Sequence, residues 1–164
     1  VLAQDFANHH PNSVSSLACF GGYDINNFDI KMQRKNGAKQ MAMMLKALFS
    51  VKWFAKENKK ISAHTLQAQD EFFDMNILFP KKSFMFLATL NSMINKYKTG
   101  KRNYPLLIGC GGFDIPMELE AVKQWKISEP NCRVVIFENA GHCVNMDVPR
   151  EFNETMEDFW TSAE

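Results

Sequence analysis

Residues 132–152 read CRVVIFENAGHCVNMDVPREF. Cys132 to Phe137 is a short apolar run, rich in β-branched residues, and reads as a buried strand. Glu138 to Gly141 is polar and small, as a turn requires. Pro149 suits the first turn of a helix, and the acidic-apolar pattern through Trp160 continues one. Between strand and helix stands a single histidine, His142.

The preceding segment repeats the plan. Tyr104 to Cys110, YPLLIGC, is an apolar strand; GGFDIP, residues 111–116, is a turn; Met117 to Ile127 is a helix closed by Glu129-Pro130-Asn131. Two apolar strands separated by a helix imply a parallel βαβ unit covered on both faces. Ligands on such sheets bind beyond the carboxyl ends of the strands. Asp114 follows the end of one strand and His142 the end of the next, so both fall on the same rim. A carboxylate against one imidazole nitrogen fixes the tautomer and stabilises the imidazolium, leaving the other nitrogen free as a general base.

Upstream, Val1 to His9 reads as the tail of a helix with Leu2 and Phe6 on one face, and the start itself reads as a cut end. Pro11 stops that helix, Ser13 to Phe20 is a short strand, and Gly21-Gly22 ends it. From Tyr23 to about Lys98, Gly and Pro nearly vanish and helical spacing takes over. Met41, Met44, Leu45, Leu48 and Phe49 form one stripe, and Phe86, Leu90, Met93 and Tyr97 another. The stripes suit helix-packing core, or the lining of an acyl pocket. A further helix lies between them, with Ser62 as its N-cap. ENKK (57–60) and KTGKRN (98–103) read as polar connectors; Lys56, Lys59 and Lys60 are solvated there, and His64 is a polar-face residue.

The 164 residues suffice for one domain with a sizeable core. A net charge of +1 gives no electrostatic case for nucleic acid or an anionic membrane. No apolar run approaches the roughly 20 residues of a bilayer span. Cys19, Cys110, Cys132 and Cys143 match no zinc or CxxC spacing and read as reduced structural thiols, which points to a cytoplasmic protein. His9 and His10 sit at a helix end without acidic or cysteine partners near in sequence, so no metal site is expected there. Cys143, next to His142, is a poor candidate nucleophile because adjacent residues do not usually face each other.

YPLLIGCGGFDIPMELEAVKQW (104–125) and VVIFENAGHCVNMDVPREFNETMEDFW (134–160) resemble the carboxyl-terminal end of α/β-hydrolases. There a Gly-x-x-Asp turn carries an acid and an Ala-Gly-His turn carries a histidine. Gly111 to Asp114 and Ala140 to His142 match these turns, and Met146, Asp147 and Pro149 match the tail of the histidine motif. VLAQDFANHHPNSVSSLACFGGYD (1–24) resembles the helix after the nucleophile elbow and the next sheet strand. The resemblance implies an α/β fold: the last strands of a mostly parallel sheet, with flanking helices and an all-helical cap insert. Residues 1–23 and 100–164 would be core, and residues 24–99 the cap. It implies Asp114 as acid and His142 as base of a Ser-Asp-His triad. The substrate would be a small, mostly apolar ester, thioester or related acyl or carbon–carbon compound, with no metal or organic cofactor.

The nucleophile departs from the pattern. The family carries it on Gly-x-Ser-x-Gly, ahead of Asp and His in chain order, and no such motif occurs in these residues. By the match it should lie just before Val1. The chain is therefore expected to be inactive alone. It would pair with an amino-terminal segment, or self-associate through the edge of its first strand. The alternative is a non-catalytic binding module on a hydrolase scaffold; a weaker one is a subunit completed by a separate amino-terminal chain.

Overall fold

The computed structural model describes residues 1–29, 41–81, 83, 88–96 and 102–162. Strands β1 (Leu17–Phe20), β2 (Leu106–Gly111) and β3 (Arg133–Phe137) form a parallel sheet in the order β1-β2-β3. Cys19 stands opposite Ile108, and Ile108 opposite Val134. Around the sheet run helices α1 (Leu2–His9), α2 (described over 41–49), α3 (Val51–Ser62) and α4 (Leu66–Ile77), then α5 (Pro116–Ser128), α6 (Val144–Asp147) and α7 (Pro149–Ser162).

The expected βαβ unit is β2-α5-β3. The expectation of a buried strand is corrected for β3: it stands at the end of the sheet order, with Val134 and Ile136 exposed and Phe137 buried. β2, the central strand of the sheet, is buried at every position, which explains why the sequence there is continuously apolar rather than alternating. Alternation reappears in what each residue touches. Leu106, Ile108 and Cys110 pack with Ala7 of α1 and with Val122 and Trp125 of α5. Leu107 packs on the opposite face with Met156 and Phe159 of α7. Phe137 ends β3 in a cluster with Ala140 and Val144, which seats the turn after the strand against the core.

Several local expectations are corrected. β1 begins at Leu17, not Ser13, because Pro11–Ser13 form a 3-10 turn and the ladder starts with Leu17 N–H donating to Pro105 O. Helix α1 forms where expected; the residues it buries are Gln4 and Ala7, while Leu2 and Phe6 are exposed. Gln4 instead spans to the chain after β1, donating to Tyr23 O at 2.9 Å and accepting from Ile25 N–H at 3.1 Å. ENKK is not a connector but lies inside α3, where Lys59 pairs with Asp70 of α4 at 2.6 Å. Ser62 ends α3 and caps nothing; the N-cap of α4 is Thr65, whose side chain accepts from Ala68 N–H. The Met41, Met44, Leu45, Leu48 and Phe49 stripe is exposed, and α2 buries Ala47 instead. Of the second stripe, Leu90 and Met93 lie in a 3-10 turn, Ala88–Met93; Phe86 and Tyr97 lie outside the described residues.

Arg102, in the segment read as a polar connector, is also corrected. Its side chain is 5% exposed and pairs with Asp24 at 2.7 Å and Glu129 at 2.6 Å, beside the Trp125 ring. A cation so buried persists because two carboxylates meet it. The triad ties the chain after β1 to the entry of β2 and the end of α5. No helix among the described residues is long and apolar enough to cross a membrane.

Candidate active site

β2 delivers its chain into the tight turn Gly111 to Asp114, closed by Asp114 N–H donating to Gly111 O. β3 delivers its chain into the turn that carries His142. The two turns interlock through the backbone. Gly112 N–H donates to Phe137 O at 2.8 Å, and Phe113 N–H donates to Ala140 O at 2.9 Å. A Cβ on Gly111 would lie 2.1 Å from Ala140 O, so only glycine lets the turns approach this closely.

The contact expected from the sequence is present. His142 Nδ1 lies 3.1 Å from Asp114 Oδ1 and 3.3 Å from Oδ2. The Asp114 side chain is fully buried, whereas that of His142 is 37% exposed. Asp114 Oδ1 also accepts from Ile115 N–H at 2.7 Å, which fixes the carboxylate. With Nδ1 committed to Asp114, Nε2 is the ring nitrogen left for chemistry. The Asp114 hydrogen bond raises the pKa of His142; burial opposes it, and the charges of Asp114 and Glu118 add to the rise. The net direction is upward.

Gly21 was read only as a strand stop. It has φ +54°, and a Cβ there would lie 2.8 Å from His142 Cε1 and 2.9 Å from Nδ1. The end of β1 is thus the wall behind the imidazole. A glycine pair immediately after a strand was the signal for it.

Asp147 is the larger omission. Sequence matched it to the motif but gave it no role. Its carboxylate accepts from Gly141 N–H at 2.8 Å, His64 N–H at 2.9 Å, Thr65 N–H at 2.7 Å and the Thr65 hydroxyl at 2.9 Å. Burial works against its charge, but the N–H groups of His64, Thr65 and Gly141 and the Thr65 hydroxyl outweigh it and hold the carboxyl below its ordinary pKa. Asp147 therefore fastens the α3–α4 elbow to the histidine turn, and Cys143 N–H donating to Ser62 O at 2.7 Å reinforces the joint. His64 lies in that elbow rather than on a helical polar face. Its ring stacks on Phe113 at 3.8 Å, beside Asp114.

Burial, and then the charges of Asp147 and Asp114, push the Cys143 thiol up to about 11, so it stays protonated at neutral pH. Cys19, Cys110, Cys132 and Cys143 are free thiols. Among the described residues no three His, Cys, Asp or Glu side chains converge as a metal site. A cleft of about 340 Å³ beside α5, lined by Tyr23, Asp24, Phe28, Gln124 and Trp125 among others, includes neither Asp114 nor His142.

The architecture is that of the α/β-hydrolases, in part. No family model matches the sequence, and no curated protein matches it. Solved structures do. The chain matches a thermophilic esterase from Thermogutta terrifontis with a TM-score of 0.74 at 14% identity, over 99% of this chain and 61% of that one. It matches a carboxylesterase structure from the thaumarchaeon Nitrososphaera gargenis with a TM-score of 0.73 at 16% identity, over 99% and 61%. For the esterase EaEST from Exiguobacterium antarcticum the TM-score is 0.71 at 15% identity, over 96% and 62%. Identities this low establish the fold alone. The chain spans about three-fifths of the length of these esterases.

Proposed function

We propose that this chain supplies the acid and base of a Ser-Asp-His hydrolase, the base being His142 and the acid Asp114. The substrate would be a small, mostly apolar ester, thioester or related acyl compound. The observation that carries the reading is the Asp114–His142 contact at adjoining strand tips, with the acid buried and the base partly open. In the proposed cycle a serine outside these 164 residues attacks the acyl carbon. His142 Nε2 takes its proton, Asp114 stabilises the resulting imidazolium, and the ring returns the proton to the leaving group. The exposed Leu2 and Phe6 of α1 favour a larger protein, since their apolar face lacks cover among the described residues. Residues 24–99 would then be its cap, with the exposed stripe of α2 available to an acyl chain.

The test is hydrolysis of p-nitrophenyl esters of increasing acyl length by the complete protein. His142→Ala is expected to lower kcat/KM by about 10²–10⁴-fold, the usual worth of a general base. Undiminished activity in that variant would remove His142 from the role. Absence of activity in the unmodified protein on every ester and thioester tried would favour the binding-module alternative.

A further inference from the structure

Glu118 lies in the first turn of α5, four residues after Asp114. It is 4% exposed, and its Oε2 has no hydrogen-bond partner among the described residues. A glutamate is rarely so buried without a paired charge. The helix dipole favours an acidic residue in the first turn, but it does not require that the side chain be buried there. The titratable groups whose charge acts on Glu118, or on which its charge acts, are Asp114 on the acid turn, His142 on the base turn, Cys110 on β2 and Tyr23 after β1. Burial pushes Cys110 up to about 11 and also raises Tyr23, so both are neutral at pH 7. His142 is the group among them that can carry positive charge.

We propose that Glu118 is a second carboxyl of the Asp114–His142 pair, a positioning residue whose charge steadies the imidazolium that Asp114 orients. The proposal rests on the reading of His142 as general base. Burial drives Glu118 toward its neutral form, the His142 imidazolium draws it back toward the carboxylate, and Asp114 opposes ionisation. The carboxyl is thus ionised most readily when the ring is charged. Two carboxyls then share one cation, and the ring binds its proton more tightly than Asp114 alone would arrange. Glutamine in place of Glu118 keeps the shape and removes that charge.

Proton NMR of the four histidines, titrated in the unmodified protein and in Glu118→Gln, tests this directly. The expected result is a His142 midpoint moved to lower pH, with His9, His10 and His64 unmoved. A His142 midpoint that stays in place or rises overturns the proposal. Carbon NMR of the Glu118 carboxyl in the unmodified protein gives a second reading that needs no variant. Its titration should carry an inflection at the His142 midpoint; a curve indifferent to His142 overturns the proposal as well. Neither measurement requires turnover. A shift without esterase activity would refute the hydrolase reading and leave the coupling standing. Activity without a shift would refute the role of Glu118.

Discussion

Asp147→Asn should loosen the joint between the α3–α4 elbow and the histidine turn. The carboxylate accepts from four donor groups: Oδ1 takes the Thr65 N–H and hydroxyl, Oδ2 takes Gly141 N–H, and His64 N–H is shared between Oδ1 at 3.0 Å and Oδ2 at 2.9 Å. Asparagine can keep its oxygen toward Thr65 and His64 but then turns its NH₂ against Gly141 N–H and loses one arm of the bond from His64 N–H. At least one charge-assisted bond is lost and a donor–donor conflict appears. Such bonds contribute about 1.5–3 kcal/mol each, and an unsatisfied buried donor costs about 1–3 kcal/mol. Allowing for partial exposure and non-additivity, we expect a loss of about 2–4 kcal/mol at pH 7. For a chain of this size that lowers Tm by about 4–16 °C.

The pH dependence of that loss is fixed by sign. The folded pKa of Asp147 lies below its unfolded value. Its stabilisation is therefore complete above the unfolded value, about 3.9, and is lost as pH falls through the folded one. Thermal unfolding by circular dichroism, run on both proteins from pH 7 down to pH 2, should show the difference in Tm closing below pH 4. Hydrogen exchange should show the Gly141 and Thr65 amides losing protection together. A pH 7 difference under about 0.5 kcal/mol, within the range of ordinary surface changes, or one that does not close in acid, would refute the reasoning.

Three further outcomes are expected. Asp114→Asn should cut kcat/KM of the complete protein by about 10³–10⁴-fold; because the Asp114 hydrogen bond is the main cause raising the His142 pKa, the acid limb of the residual activity should also move to lower pH. Gly21→Ala places a Cβ 2.8 Å from the imidazole at a positive φ; it should cost about 1–2 kcal/mol in backbone strain, and NMR should show His142 titrating at lower pH as its contact with Asp114 lengthens. Arg102→Ala leaves Asp24 and Glu129 without their cation in a buried setting, and urea unfolding should register a loss of about 3–5 kcal/mol.

The two halves of the candidate site were unequally legible. Asp114 and His142 could be read because each follows a strand whose sequence is almost wholly apolar, and parallel sheets align such strand ends on one rim. Gly21, Glu118 and Asp147 could not be assigned roles in the same way, because each acts on a partner distant in sequence: His142 lies 121 positions from Gly21, and Thr65 lies 82 from Asp147. Arg102 was misread for a related reason. A cation in a run of polar residues looks solvated until the carboxylates of Asp24 and Glu129 are brought to it. The Met41 to Phe49 stripe erred the other way: helical spacing identifies an apolar face, but not whether anything covers it.

Local pattern determined the strands, the helices that flank them and the two turns, since hydrophobic period and turn chemistry are properties of neighbouring residues. Tertiary structure alone decided which groups wall, brace and charge the imidazole. Those contacts depend on how three strand ends and the α3–α4 elbow converge, and burial and electrostatic coupling exist only once they have done so.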